Sequence, residues 1–180
     1  AQQGLFAELF FLEEILHDEY PEEGLLGWHS QKSIHDFQIG SQAWEVKSFG
    51  GRRMEVRISS EDQLDSIGLE TLILAVVGLK VSEEAGTSVV EIVNRLVRLA
   101  GNNREQLMHL KTGLAKYSYI DEPSIIQKYY FTTRSISEYA ISEGFPRITS
   151  KNIPSAVHGV KYTLSLASLE AHLAKPVIEY

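Results

Sequence analysis

The stretch that decides the fold runs Ile34-His35-Asp36-Phe37-Gln38-Ile39-Gly40-Ser41-Gln42-Ala43-Trp44-Glu45-Val46-Lys47-Ser48-Phe49. Two short alternating runs flank a Gly40-Ser41 turn signal, which is the signature of a β-hairpin. Residues two apart on a strand face the same side, so Glu45 and Lys47 point together and Val46 points to the opposite face. A two-residue turn at Gly40-Ser41 places Asp36 directly opposite Glu45, with Cβ atoms about 5 Å apart. A three-residue loop would shift that register by one residue. On the favoured register two carboxylates and one ammonium gather on one face.

Outward from the hairpin, the flanking segments have clear periods. Upstream, Leu5, Leu9, Leu12 and Leu16 recur at helical spacing, and Phe6, Phe10 and Phe11 widen the apolar surface. Glu8 falls inside that apolar neighbourhood, where a carboxylate is costly unless something pairs with it or ligates it. The chain opens directly on this helix, which suits the C-terminal part of a longer protein. Downstream, Gly50-Gly51 makes a turn, and Met54 to Ser59 alternates as the third strand of a meander. Ser59 or Ser60 is placed to cap a short helical turn over Glu61 to Gln63. Thr71 to Val77 is continuously apolar, as in a strand buried on both faces. Val89, Ile92, Val93, Leu96 and Leu99 form one helical stripe, and Leu107, Leu110 and Leu114 indicate a second helix. Tyr129 to Ile141 and Val160 to Leu166 read as late strands joined through Gly144-Phe145-Pro146. The order implies one α/β domain over residues 1–180, with a mixed central sheet flanked by helices.

Composition narrows the function classes. The 180 residues are 43% hydrophobic and 23% charged, ordinary for a soluble globular chain. The absence of cysteine removes disulfides, Cys-zinc sites and thiol catalysis together. No apolar run approaches the roughly 20 residues that span a bilayer, and the N-terminus lacks the basic region and cleavage site of a secretory signal. A cytoplasmic location with no membrane partner is expected. The formal net charge of −7 argues against a protein that holds nucleic acid by overall charge. It leaves room for an enzyme whose carboxylates hold a metal and whose basic residues are local.

The chemistry follows from the gathered charges. Two close carboxylates repel, and a divalent cation reverses that cost. Mg²⁺ is characteristically held by one or two carboxylates together with water and substrate phosphate oxygens. Such a metal activates water and stabilises charge developing in attack on phosphorus, and Lys47 can steady that water or the phosphate. Glu8, from the helix, would complete or orient the metal site. Taken alone the spacing is a weak signal, since Glu-Xaa-Lys in a strand occurs often by chance as a solvated ion pair on an open face.

The resemblance sharpens this. Gly4-Leu5-Phe6-Ala7-Glu8-Leu9-Phe10-Phe11-Leu12-Glu13, Trp28-His29-Ser30, His35-Asp36-Phe37, Trp44-Glu45-Val46-Lys47-Ser48, Ile58 to Leu64 and Gly144-Phe145-Pro146-Arg147 occur in that order. Together they resemble the bacterial PD-(D/E)XK motif proteins, a family similar to restriction-type endonucleases and associated with phage-defence gene sets. The resemblance implies a restriction-endonuclease-like fold, dependence on Mg²⁺ (with Mn²⁺ able to substitute), and hydrolysis of DNA phosphodiester bonds. It implies that Glu8, Asp36, Glu45 and Lys47 form the catalytic set, with Asp36, Glu45 and Glu8 toward the metal. DNA is the expected partner, with a second copy of the chain or other defence-system subunits beside it. Asp36 follows His35 where the superfamily name has proline, and the resemblance implies a sizeable region ahead of the first helix.

Several residues admit two readings. Gln63 can contact DNA or support the metal ligands, or it can be a turn residue. Lys32, Arg52, Arg53 and Arg57 can form a basic rim for phosphates, or the solvated end of a hairpin. His17, His29 and His35 lack a zinc-ligand spacing and read as packing or surface residues. Tyr117, Tyr119, Tyr129 and Tyr130 read as packing rather than as a base-stacking platform. A catalytically silent module that keeps the fold for DNA binding or assembly stands as the rival to the nuclease.

Overall fold

The hairpin forms in the register that its turn dictates. The computed structural model describes residues 2–29, 33–117, 119 and 129–180. Strand β1 (Phe37–Ile39) pairs antiparallel with β2 (Gln42–Gly50), matching Phe37 to Trp44, Gln38 to Ala43 and Ile39 to Gln42. Gly40 supplies the turn with a φ of 59°, a left-handed value that costs glycine nothing. One step further along, this register would set Asp36 opposite Glu45.

β2 continues the sheet through its other edge, where β4 (Thr71–Ser82) runs parallel to it from Gln42–Thr71 to Gly50–Leu79. β4 in turn pairs antiparallel with β5 (Tyr130–Ala140), and β5 with the short β7 (Ile178–Glu179). The result is a five-stranded mixed sheet in the order β1-β2-β4-β5-β7. The apolar run predicted as a buried strand is the centre of this sheet, and Leu72, Leu74, Ala75, Val76, Val77 and Leu79 are all buried.

The expected three-strand meander does not form. β3 (Glu55–Ile58) leaves the main sheet and pairs antiparallel with β6 (Tyr162–Ser165) in a separate two-stranded sheet. The alternation was read correctly: Val56 and Ile58 are buried while Glu55 and Arg57 are exposed. Alternation fixes which face a strand buries, not which strand it pairs with, and β2's free edge is already taken by β4.

The two faces of the main sheet carry separate cores. On one lie the helices: α1 (Gln2–Phe11), a π-helical turn (Leu12–Leu16), the short α2 (His17–Glu19), α3 (Val89–Ala100) and α4 (Arg104–Lys116). Leu5, Phe6, Leu9 and Phe11 of α1 pack there with Trp44 and Val46 of β2, Val77 of β4 and the α3 stripe. The Arg95 guanidinium donates to both Glu13 oxygens at 2.7 and 2.8 Å, tying α3 to the π-helical turn. α3 opens on a capping box in which Ser88 and Glu91 satisfy each other's backbone N–H groups. The stripe ends one residue later than its period suggested, since Leu99 is 44% exposed and Ala100 is buried. On the opposite face the β3–β6 pair and Phe145 cover Ala43, Leu72, Leu74 and Val76. Among the described residues no helix is long and apolar enough to cross a membrane.

Candidate active site

Alternation along β2 sorts its side chains between the two cores. Trp44 and Val46 enter the helical core, and Glu45 and Lys47 leave on the other face. Glu45 is only 1% exposed, yet its Oε1 lies 2.5 Å from the Lys47 Nζ, so one oxygen is satisfied by an ammonium. The other, Oε2, is buried and has no hydrogen-bond partner among the described residues. An orphaned buried carboxylate oxygen costs several kcal/mol of lost hydration if nothing replaces the water.

Asp36 stands just ahead of β1, on strand-end backbone that β1 does not continue. Its Oδ2 accepts the Val46 N–H at 2.7 Å, and its own carbonyl accepts the His29 N–H at 2.7 Å. The carboxylate is therefore fixed between the hairpin edge and the segment that precedes it. Burial raises its pKa, and the Lys47 charge and the Val46 N–H oppose that rise.

Glu8 arrives from the helical layer. It is 7% exposed, and three donor contacts fill its carboxylate: the Trp28 Nε1–H reaches Oε2 at 2.9 Å, while the Tyr117 hydroxyl lies 2.8 and 2.7 Å from Oε1 and Oε2. Trp28 and Tyr117 stack with centroids 5.9 Å apart and planes 7° from parallel. α4 holds both rings. A Cβ at Gly113 would come within 2.5 Å of the Trp28 ring, and the His109 Nε2 lies 2.8 Å from the Trp28 carbonyl. Positions 109, 113 and 117 lie four apart, so one face of α4 sets Trp28 and, through it, Glu8.

The three carboxylates sense one another. Burial pushes Glu8 up to about 8, and the Asp36 charge adds to the rise. Burial pushes Glu45 up to about 8 as well, again with Asp36 as the next cause and Glu8 the smallest. The Asp36 charge is thus felt at both of the others. They do not make a closed cage: among the described residues no three His, Asp or Glu side chains are arranged to hold a metal ion together. The chemistry of Asp36 and Glu45 nonetheless fits a cation of the Mg²⁺ kind, which takes one or two carboxylates and fills its remaining positions with water and substrate oxygens. The unpartnered Glu45 Oε2 is the atom in need of such a partner.

The remaining sequence candidates fall elsewhere. The Gln63 Oε1 accepts the Ser59 N–H at 2.7 Å, so its side chain closes the turn after β3, where Ser60 Oγ also accepts the Asp62 N–H. Arg52, Arg53 and Arg57 line a cleft beyond Ser48 whose lining includes none of Glu8, Asp36, Glu45 and Lys47. Lys32 lies outside the described residues. His35 is buried with its ring against the backbone of Gln63 and Asp65, and His29 is on the surface. Tyr119 and Tyr129 pack against the helical core. Tyr117 is the residue whose role sequence reading missed. Its ring packs, as the sequence implies, but its hydroxyl donates to Glu8. The available signal was the buried Glu8 itself, which requires donors, and Trp and Tyr are the apolar side chains that carry one.

A five-stranded mixed sheet, helices on one face, and a helix glutamate beside a hairpin Asp and Glu-Xaa-Lys pair define the class: a restriction-endonuclease-like α/β core of the PD-(D/E)XK type. The family model described as "Putative PD-(D/E)XK family member, (DUF4420)" matches residues 1–167, and the chain belongs to that family. No curated protein and no solved structure matches it.

Proposed function

We propose that this protein is a divalent-metal-dependent deoxyribonuclease that hydrolyses phosphodiester bonds at the Asp36–Glu45–Lys47 cluster. The observation that carries the reading is Glu45: one oxygen paired to Lys47, the other buried without a partner, and Asp36 beside it. Asp36 and Glu45 would hold a Mg²⁺ or Mn²⁺ ion, with Glu8 orienting the set from the helical side. When bound, that ion supplies Lewis-acid charge to the phosphate and lowers the pKa of a water.

The chain's own groups do the rest. Lys47 keeps Glu45 in place through the ammonium–carboxylate contact, and its remaining N–H bonds are free to steady the attacking water or a non-bridging phosphate oxygen. Val46 N–H fixes the Asp36 carboxylate against rotation. Trp28 and Tyr117 hold the Glu8 carboxylate in a single orientation. The family resemblance adds the setting, restriction or phage defence in the cytoplasm, with a second copy or other defence subunits as partners.

A second reading has one observation in its favour. Glu8 spends both oxygens on Trp28 and Tyr117, as a purely structural carboxylate would in a silent DNA-binding or assembly module. Titrating a labelled duplex in EDTA and in Ca²⁺ separates the two. The nuclease requires weak binding in EDTA and a clear gain with Ca²⁺, which bridges carboxylate to phosphate but does not usually support cleavage. Tight binding that ignores the metal would favour the silent module.

A further inference from the structure

The end of β2 beyond Lys47 opens into a cleft of about 880 Å³. Five cations line it, Arg52, Arg53, Arg57, Lys80 and Arg134, against the single carboxylate of Glu55. In a chain of net charge −7 this is a marked local reversal of sign. All five are exposed, and among the described residues none is in an ion pair. A solvated surface would disperse these charges, whereas here they converge from four separate places on the chain: the β2–β3 turn, β3, β4 and β5.

The walls are firm and the floor is open. The Arg134 guanidinium donates to the Leu79 carbonyl at 3.1 Å and sits 5.8 Å over the Phe49 ring. The Gln3 amide donates to Ser48 Oγ at 3.1 Å, fastening α1 to the same strand end. Gly51 has a φ of 88°, and a Cβ built there would meet nothing within 4 Å, so the turn leaves room for a ligand to approach the backbone.

Position along the strand gives the cleft its meaning. Phe49 lines it and shares a face of β2 with Glu45 and Lys47. Three residue steps along the strand take Lys47 to Gly50, about 10 Å, which is about three base-pair steps of a duplex. We infer that the Arg52–Arg53–Arg57–Lys80–Arg134 cleft binds the phosphodiester backbone of DNA about three base pairs beyond the scissile bond, separately from the carboxylate cluster. The inference rests on the nuclease reading and extends it: Lys80 and Arg134 become substrate-binding residues, and duplex on that side of the cut contributes to affinity.

The test is a salt titration of binding to a labelled 30-base-pair duplex in Ca²⁺. It compares wild type with Arg53→Ala/Lys80→Ala and with a control pair on the helical layer, Arg98→Ala/Lys111→Ala. Each phosphate contact contributes about 0.9 to the logarithmic salt slope, so the cleft pair should flatten it by about 2 and weaken binding about tenfold. The control pair should change neither, and the charge-keeping pair Arg53→Lys/Lys80→Arg should retain most of the slope. Thermal melting of each variant at the wild-type temperature excludes misfolding as the cause. A cleft pair that binds like wild type, or a control pair that loses as much, overturns the inference. Mg²⁺-dependent cleavage by wild type is scored on the same duplex. Cleavage without cleft dependence removes the cleft alone, and cleft dependence without cleavage removes the nuclease reading alone.

Discussion

At the scale of single residues, the site is a problem in burying charge. Three carboxylates are taken out of water, and each is stabilised by a different device: donors for Glu8, a backbone N–H for Asp36, an ammonium for Glu45. The pKa values of Glu8 and Glu45, about 8, fix the direction of the pH response without metal. Between the unfolded value of 4.5 and about 8 the folded chain keeps protons that the unfolded chain releases. Stability in EDTA should therefore fall as pH rises through this window and level off above it. Mg²⁺ binds the deprotonated carboxylates, so its stabilisation should grow with pH over the same window. Thermal melts from pH 5 to 9, with and without Mg²⁺, measure both; a melting temperature that rises with pH in EDTA would contradict the burial account. Tyr117→Phe isolates the hydroxyl, because it keeps the stack on Trp28. It should fold, lose about 1 to 3 kcal/mol, and need more Mg²⁺ for half-maximal cleavage. An unchanged Mg²⁺ requirement would leave Tyr117 with a structural role only.

At the scale of elements, the sequence carried the hairpin and the central strand because both are local. A two-residue turn sets the register of Phe37 on Trp44, and the Asp36 carboxylate just ahead of that pair reaches the Val46 N–H. The destination of β3 was not legible, since Val56 and Ile58 alternate equally well against β2 or against β6, and β6 lies a hundred residues downstream. The parallel pairing of β2 with β4 was hidden for the same reason. The donors of Glu8 were hidden too, because Trp28 and Tyr117 reach it only after α4 docks. That docking makes Gly113 informative. In an isolated helix, Gly→Ala gains about 1 kcal/mol of propensity. Here the new Cβ would meet Trp28 at 2.5 Å, and overpacking costs about 1 to 3 kcal/mol. Gly113→Ala should therefore be net destabilising in a denaturant melt and should lower cleavage by displacing Trp28 from Glu8; a stabilised variant would show that α4 is not seated on Trp28.

At the scale of the whole molecule, the helical layer and the β3–β6 layer bracket one sheet, and β2 runs between the two cores. Glu45 lies on its buried half, and the cleft lined by Arg52, Arg53, Arg57, Lys80 and Arg134 opens beyond its far end, so the proposed metal and phosphate contacts would fall at two points along one strand. Net charge and function are reconciled by this separation: attraction is local, and the logarithmic salt slope of DNA binding should be no steeper than about 4 to 5 even with all five cleft cations engaged. The most direct test of the nuclease assignment is cleavage of supercoiled plasmid and a short duplex in Mg²⁺ or Mn²⁺, run beside EDTA and Lys47→Ala. The account predicts cutting by wild type with either metal, none in EDTA, and a loss of about a hundredfold or more in Lys47→Ala that still binds duplex in Ca²⁺. Cleavage by Lys47→Ala at the wild-type rate, or a folded wild type that binds DNA and cuts with neither metal, would contradict it.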